Sequence, residues 1–104
     1  MAEIDTILHQ PVRLRIMAAL TVLPDNAQME FVALRNLLRT TDGNLGAHLH
    51  KLENAGYISV EKAFVSRKPH TFISITAKGR SAFDNYVQTL QEILGPIVHS
   101  PEQG

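Results

Sequence analysis

Between Leu45 and Lys62 the periodicity of the chain switches from helical to extended within two residues, and no other feature limits the possible folds so strongly. Leu45, Leu49 and Leu52 stand at i, i+4 and i+7, a single apolar stripe on a helix predicted from about Asp42 to Ala55. Gly56 supplies the left-handed residue that commonly closes a helix. Tyr57-Ile58-Ser59-Val60-Glu61-Lys62 then reads as a strand, alternating at its centre. Thr71-Phe72-Ile73-Ser74-Ile75 alternates in the same way beyond a loop from Ala63 to Pro69. The two strands are predicted to form an antiparallel hairpin with Ser66-Arg67-Lys68-Pro69 at or near its tip.

Helical patterns flank this unit. Pro11 suits a first helical position, where its missing N–H costs nothing. Val12, Ile16, Ala19, Leu20 and Leu23 recur behind it, Leu14 and Met17 widen the stripe, and Pro24-Asp25-Asn26 ends it. Met29-Glu30-Phe31 allows a very short third strand before a second helix from Phe31 to Leu38, with Leu34, Leu37 and Leu38 inward and Arg35 and Arg39 outward. Thr40-Thr41-Asp42 supplies N-cap chemistry for the next helix. Thr76 does the same for a last helix from Ala77 to about Leu94, closed by Gly95-Pro96 and followed by a frayed tail over 98–104. The predicted class is α+β, mostly helical: three helices, a two-stranded wing and a terminal helix in one domain over 1–104.

Composition sets the limits around this fold. A chain of 104 residues accommodates one domain. A domain of that size buries only about 60–70% of its unfolded surface, so a second copy would add stability. Cysteine is absent, which excludes disulfides and thiolate metal sites. No apolar run approaches the roughly 20 residues of a membrane span. Met1 to Gln10 carries acids where a signal peptide has bases. A cytoplasmic protein without membrane association is expected.

Net charge is zero, yet it is segregated. Arg35 to Arg80 holds eight bases against three acids, a net of +5, and the remainder holds Arg13 and Arg15 against seven acids, a net of −5. A basic middle between acidic ends suits a polyanionic partner.

The helix from Asp42 to Ala55 is the element fitted to one. With its leucines inward, Gly43, Ala47, His50 and Asn54 project outward, flanked by Asn44, Gly46 and Lys51. Glycine and alanine let a helix backbone approach base edges closely, at roughly 1 kcal/mol per interior glycine. Asn44 suits adenine, His50 can donate or accept, and Lys51 suits phosphate. At the hairpin tip Arg67 and Lys68 can reach phosphates, or Arg67 a minor groove.

The segment Phe31-Val32-Ala33-Leu34-Arg35-Asn36-Leu37-Leu38, the run Gly43 to Ile58 and the stretch Ile75-Thr76-Ala77-Lys78-Gly79-Arg80 together resemble the core of winged helix-turn-helix transcriptional regulators of the MarR/ArsR type, in the short subgroup described as a winged-helix DNA-binding domain. The resemblance covers roughly Gln10 to Leu90. It implies a homodimer that binds double-stranded DNA at a pseudo-palindromic site, with Asp42, Gly43, Asn44, Gly46, Ala47, His50 and Lys51 in the major groove. Ser66, Arg67 and Lys68 are then wing contacts and Arg35 and Arg39 backbone contacts. Gly46-Ala47 stands where hydroxyl side chains often sit in relatives.

Terminal elements have their own argument. Phe83, Val87, Leu90 and Leu94, with Ile4, Ile7 and Leu8, exceed what a three-helix core can cover, so 1–9 and 77–97 are predicted to form the dimer interface. A dimer crevice could also hold a small-molecule effector, for which no lining residues are singled out. His48 and His50 point to different helix faces and do not chelate together, so no metal and no cofactor is expected. No nucleophile–base set or phosphate loop is recognisable, so no enzyme is expected. The competing reading is a winged helix that docks a protein and never touches DNA.

Overall fold

The computed structural model describes residues 3–98. Its elements are α1 (Pro11–Thr21), β1 (Met29–Glu30), α2 (Phe31–Leu38), α3 (Asp42–Asn54), β2 (Ile58–Val65), β3 (Lys68–Ile75) and α4 (Ala77–Val98). The three strands form one antiparallel sheet in the order β1-β3-β2. This is the winged-helix arrangement, and the short third strand is present.

One core joins every element. Ile16, Met17 and Leu20 of α1, Leu34 and Leu38 of α2, Leu45, Leu49 and Leu52 of α3, Ile58 and Ile73 of the sheet and Tyr86 of α4 are all buried. Leu8 is buried with them, so it belongs to the chain's own core and has no surface to offer a partner. Leu37 is 57% exposed, against the inward position expected for it. In so short a helix Leu34 and Leu38, one turn apart, define the inward line, and Leu37 lies well off it.

Three local devices set the helix ends. Gln10 caps α1 by accepting from the Arg13 amide at 2.8 Å. Thr41 caps α3 by accepting from the Asn44 amide at 3.1 Å. At the other end of α3, Gly56 takes φ 81°, and the amides of Gly56 and Tyr57 bond back to the carbonyls of Glu53 and Leu52. That paired pattern is a Schellman closure, and it turns the chain directly into β2.

The closure is tied to α4 through Thr76. Its hydroxyl donates to the Gly56 carbonyl at 2.6 Å and accepts from the Gly79 amide at 2.9 Å, while its own amide donates to the Tyr57 carbonyl at 3.1 Å. The end of α3, the base of the wing and the start of α4 therefore meet at one residue. Arg80, one turn further on, donates to the Thr21 and Leu23 carbonyls at 3.1 and 3.0 Å, closing the end of α1. The N-terminal segment is strapped across the same region: Tyr57 donates to the Asp5 carboxylate at 2.5 Å, and His9 pairs with the Tyr86 hydroxyl at 2.8 Å. Burial and the Asp5 carboxylate push the Tyr57 phenol up to about 12.

Two expected boundaries are corrected. The wing has no loop from Ala63 to Pro69: strand pairing runs to Val65↔Lys68 and leaves a two-residue turn, Ser66-Arg67. Both residues are left-handed, at φ 52° and 67°, as in the turn type that matches the twist of paired strands. Nor do Gly95 and Pro96 end α4, which continues to Val98. Proline's fixed φ is itself helical, and so near a helix end it forfeits little of the hydrogen-bond ladder. The tail beyond Val98 lies outside the described residues.

At Gly79 a Cβ would stand 2.0 Å from the Tyr57 carbonyl oxygen and 3.1 Å from the Ile75 side chain. Gly79→Ala is therefore expected to destabilise the protein by about 1–3 kcal/mol, through overpacking against backbone that cannot yield. Urea melts of the two proteins check this, and an unchanged midpoint would mean that α4 is not seated as described.

Candidate nucleic-acid interface

The expected contact residues of α3 lie on one side of the helix. Asp42, Gly43, Asn44, Ala47, His50 and Lys51 are exposed, and Gly46 is half-buried. A Cβ at Gly43 or Gly46 would meet nothing within 4 Å. Neither glycine is needed by the fold, in contrast to Gly79, so the bare surface is a property of the outward face. Asn44 and His50 are not idle: the Asn44 amide donates to the Thr40 hydroxyl at 2.7 Å, and His50 pairs with Asn54 at 3.1 Å. Both bonds are local, each to a residue one turn away.

His48, at the edge of this side and one turn from Asn44 and Lys51, is half-buried. Desolvation, and next the Arg13 charge, hold its imidazole below the usual histidine range, favouring the neutral ring. Among the described residues no group of three histidine or acidic side chains comes together as a metal site.

The basic middle of the sequence divides into structural and free cations. Arg35 is bound at 2.8 Å to Asp42 across the α2–α3 turn. Arg80 caps α1, and Lys78 sits 5.8 Å from the centre of the Tyr57 ring. Arg39, Lys51, Lys62, Arg67 and Lys68 are exposed and, among the described residues, form no ion pair. Arg39 occupies the left-handed C-cap of α2, at φ 54°. Arg67 occupies the second left-handed position of the wing turn, where glycine is the easy residue and another residue costs roughly 1–2 kcal/mol.

A groove of about 340 Å³ separates α3 from the wing, with Gly46, Leu49 and His50 on one wall and Val60, Lys62 and Thr71 on the other. Lys62 and Thr71 face each other across β2 and β3, which only the strand register reveals. Neither stood out in the sequence, where Lys62 reads simply as the end of a strand.

The terminal apolar residues divide. Ile4, Ile7, Phe83 and Leu90 are half-buried and pack on the core from outside, and Val87 is half-buried beside them. Ile93 and Leu94 are 50% and 40% exposed on the far part of α4.

A helix-turn-helix, α2–α3, with a basic hairpin wing and a bare outward helix face defines a winged-helix DNA-binding protein. Residues 12–94 match the family described as the winged helix DNA-binding domain, and the chain belongs to that family. It is 39% identical over 87 residues to an uncharacterised protein of Methanocaldococcus jannaschii, covering 84% of this chain and 91% of that one. A transcriptional regulator homologue from Pyrococcus horikoshii has a similar structure, with a TM-score of 0.80 at 28% identity over 90% of each chain. Bacillus subtilis PadR, solved in complex with operator DNA, shares the fold at a TM-score of 0.63 and 13% identity, over 88% of this chain and 50% of that one. Fold and family are those of DNA-binding transcriptional regulators. No described helix is long and apolar enough to cross a membrane.

Gly46→Ala separates stability from function. It is expected to stabilise the protein by up to about 1 kcal/mol, because alanine is the better helix former and its methyl meets only open space. Affinity for duplex DNA should fall, because the same methyl stands the helix away from the bases. Paired urea melts and DNA titrations check this, and a more stable variant with unchanged binding would show that the bare face is not used.

Proposed function

We propose that the chain is a homodimeric, sequence-specific regulator of transcription that acts on double-stranded DNA in the cytoplasm. The helix α3 enters the major groove and presents Asp42 to Lys51 to the base edges, with the Arg35–Asp42 pair at its leading end. The wing turn, Ser66, Arg67 and Lys68, lies on the flanking backbone or in the adjacent minor groove, and Arg39 meets phosphate. One observation carries this reading: α3 carries two glycines the fold does not need, Gly43 on its exposed face and Gly46 on the wall of the groove beside the wing, and cations free of ion pairs lie around them.

A second copy is the natural cover for the far part of α4. Ile93 and Leu94 are exposed where the helix has run past its own core, and isologous pairing there would present two copies of α3 to one duplex. Leu94→Glu is expected to shift the protein from dimer to monomer in sedimentation at matched concentration, with the fold retained. A dimer that survives the substitution would place the interface elsewhere.

Fluorescence anisotropy on a pool of mixed-sequence duplexes, titrated at two salt concentrations, tests DNA binding. Affinity should fall steeply with salt, and Arg67→Ala/Lys68→Ala should lower the salt slope by about 2, one for each phosphate contact removed. A folded dimer that binds no duplex at low salt would sink the proposal in favour of a protein partner.

A further inference from the structure

Phe64 is 77% exposed, more than any other aromatic side chain among the described residues. It sits two residues before the wing turn and faces Pro69 across the hairpin. Since Val65↔Lys68 closes the turn, Phe64 and Pro69 form the next pair, of the kind that makes no ladder bonds and brings side chains closest. Proline, which has no N–H to give, fits that position. The result is an exposed apolar pair at the end of the wing. By strand alternation Phe64 shares a face with Ile58, Val60 and Lys62, the face that lower down lines the groove against α3.

The charge around this unit is one-sided. From Lys62 to His70 the wing carries Lys62, Arg67 and Lys68 and no acidic residue. An apolar side chain set among free cations fits the grooves of a polyanion, where phosphates flank sugar and base edges that offer apolar surface.

We propose that Phe64, backed by Pro69, is an apolar wedge that enters the minor groove of bound duplex DNA beside Arg67, packing on deoxyribose and base edges and opening the groove there. The proposal rests on the DNA-binding reading given above and adds a contact whose energy is not electrostatic. Apolar wedges of this kind bend the duplex away from the inserted side chain and are favoured at flexible pyrimidine–purine steps.

The test uses the full chain and a short mixed-sequence duplex centred on a TA step, labelled at its two ends with a fluorescence donor and acceptor. Phe64→Ala should weaken binding roughly tenfold, leave the salt slope unchanged because no phosphate contact is lost, and reduce end-to-end transfer as the bend relaxes. Phe64→Leu should recover part of the affinity. Arg67→Ala in parallel should lower the salt slope by about 1. Because Phe64 is exposed, the thermal melts of both Phe64 variants should match the parent. If Phe64→Ala binds and bends DNA like the parent while Arg67→Ala is impaired, the wedge is overturned and DNA binding stands. A change in sedimentation without a change in affinity overturns it in favour of a protein contact. No binding by the unsubstituted chain at low salt overturns both readings together.

Discussion

Thr76 holds together three parts of the molecule that each need to be fixed relative to the others. Its hydroxyl and amide satisfy groups from the Schellman closure of α3, from Tyr57 just ahead of the wing and from the first turn of α4. The proposed groove contact of α3 requires a constant angle between that helix and the wing. Here short bonds to backbone atoms hold that angle together with the packing of Leu49 and Leu52 against the sheet's Ile58 and Ile73. Gly79 belongs to the same junction, since only the absence of a Cβ lets α4 lie against the Tyr57 carbonyl. Tyr57 in turn anchors the N-terminal segment through Asp5. The phenol remains un-ionised far above neutral pH, so it donates this hydrogen bond throughout the physiological range.

Around this junction the charges separate by task. Arg35, Lys78 and Arg80 serve the structure: one neutralises the acid that opens α3, one covers an aromatic ring and one closes α1. Arg39, Lys51, Lys62, Arg67 and Lys68 remain solvated. Electrostatic attraction to DNA depends on the second group, because a cation already paired releases fewer counterions on binding. The Arg35–Asp42 pair also leaves no lone carboxylate in the first turn of α3.

Much of this was legible in the residues, for identifiable reasons. α2 begins and ends where periodicity and turn chemistry place it, and the stripe Leu45, Leu49 and Leu52 is fully buried, because a helix over a single core must repeat its apolar residues every turn. The wing turn was not legible. Type I′ turns are announced by Asn-Gly or Asp-Gly, and Ser66-Arg67 carries neither, so a tight turn resembled a seven-residue loop. For the same reason Phe64 and Pro69 were hidden as a cross-strand pair. Leu37 was misplaced because periodicity ranks residues by angle and does not tell how wide a stripe the rest of the fold can cover. Leu8 failed the other way: an apolar residue near a terminus looks available until the strap that buries it is seen.

Local pattern along the chain fixes the element order, the leucine stripe of α3, the caps at Thr41, Gly56 and Thr76, and the identity of the helix with the bare face. All of these follow from local periodicity and from backbone groups that need a partner within a few residues. Tertiary structure alone decided which cations are free, which glycines are required and which merely permitted, and which side chains share the wing's inner face. Those properties depend on atoms distant in sequence. Arg80 reaches Thr21, Tyr57 reaches Asp5, and Gly79 meets the backbone of Tyr57. No reading of neighbours along the chain contains such contacts, because each exists only once the helices have packed.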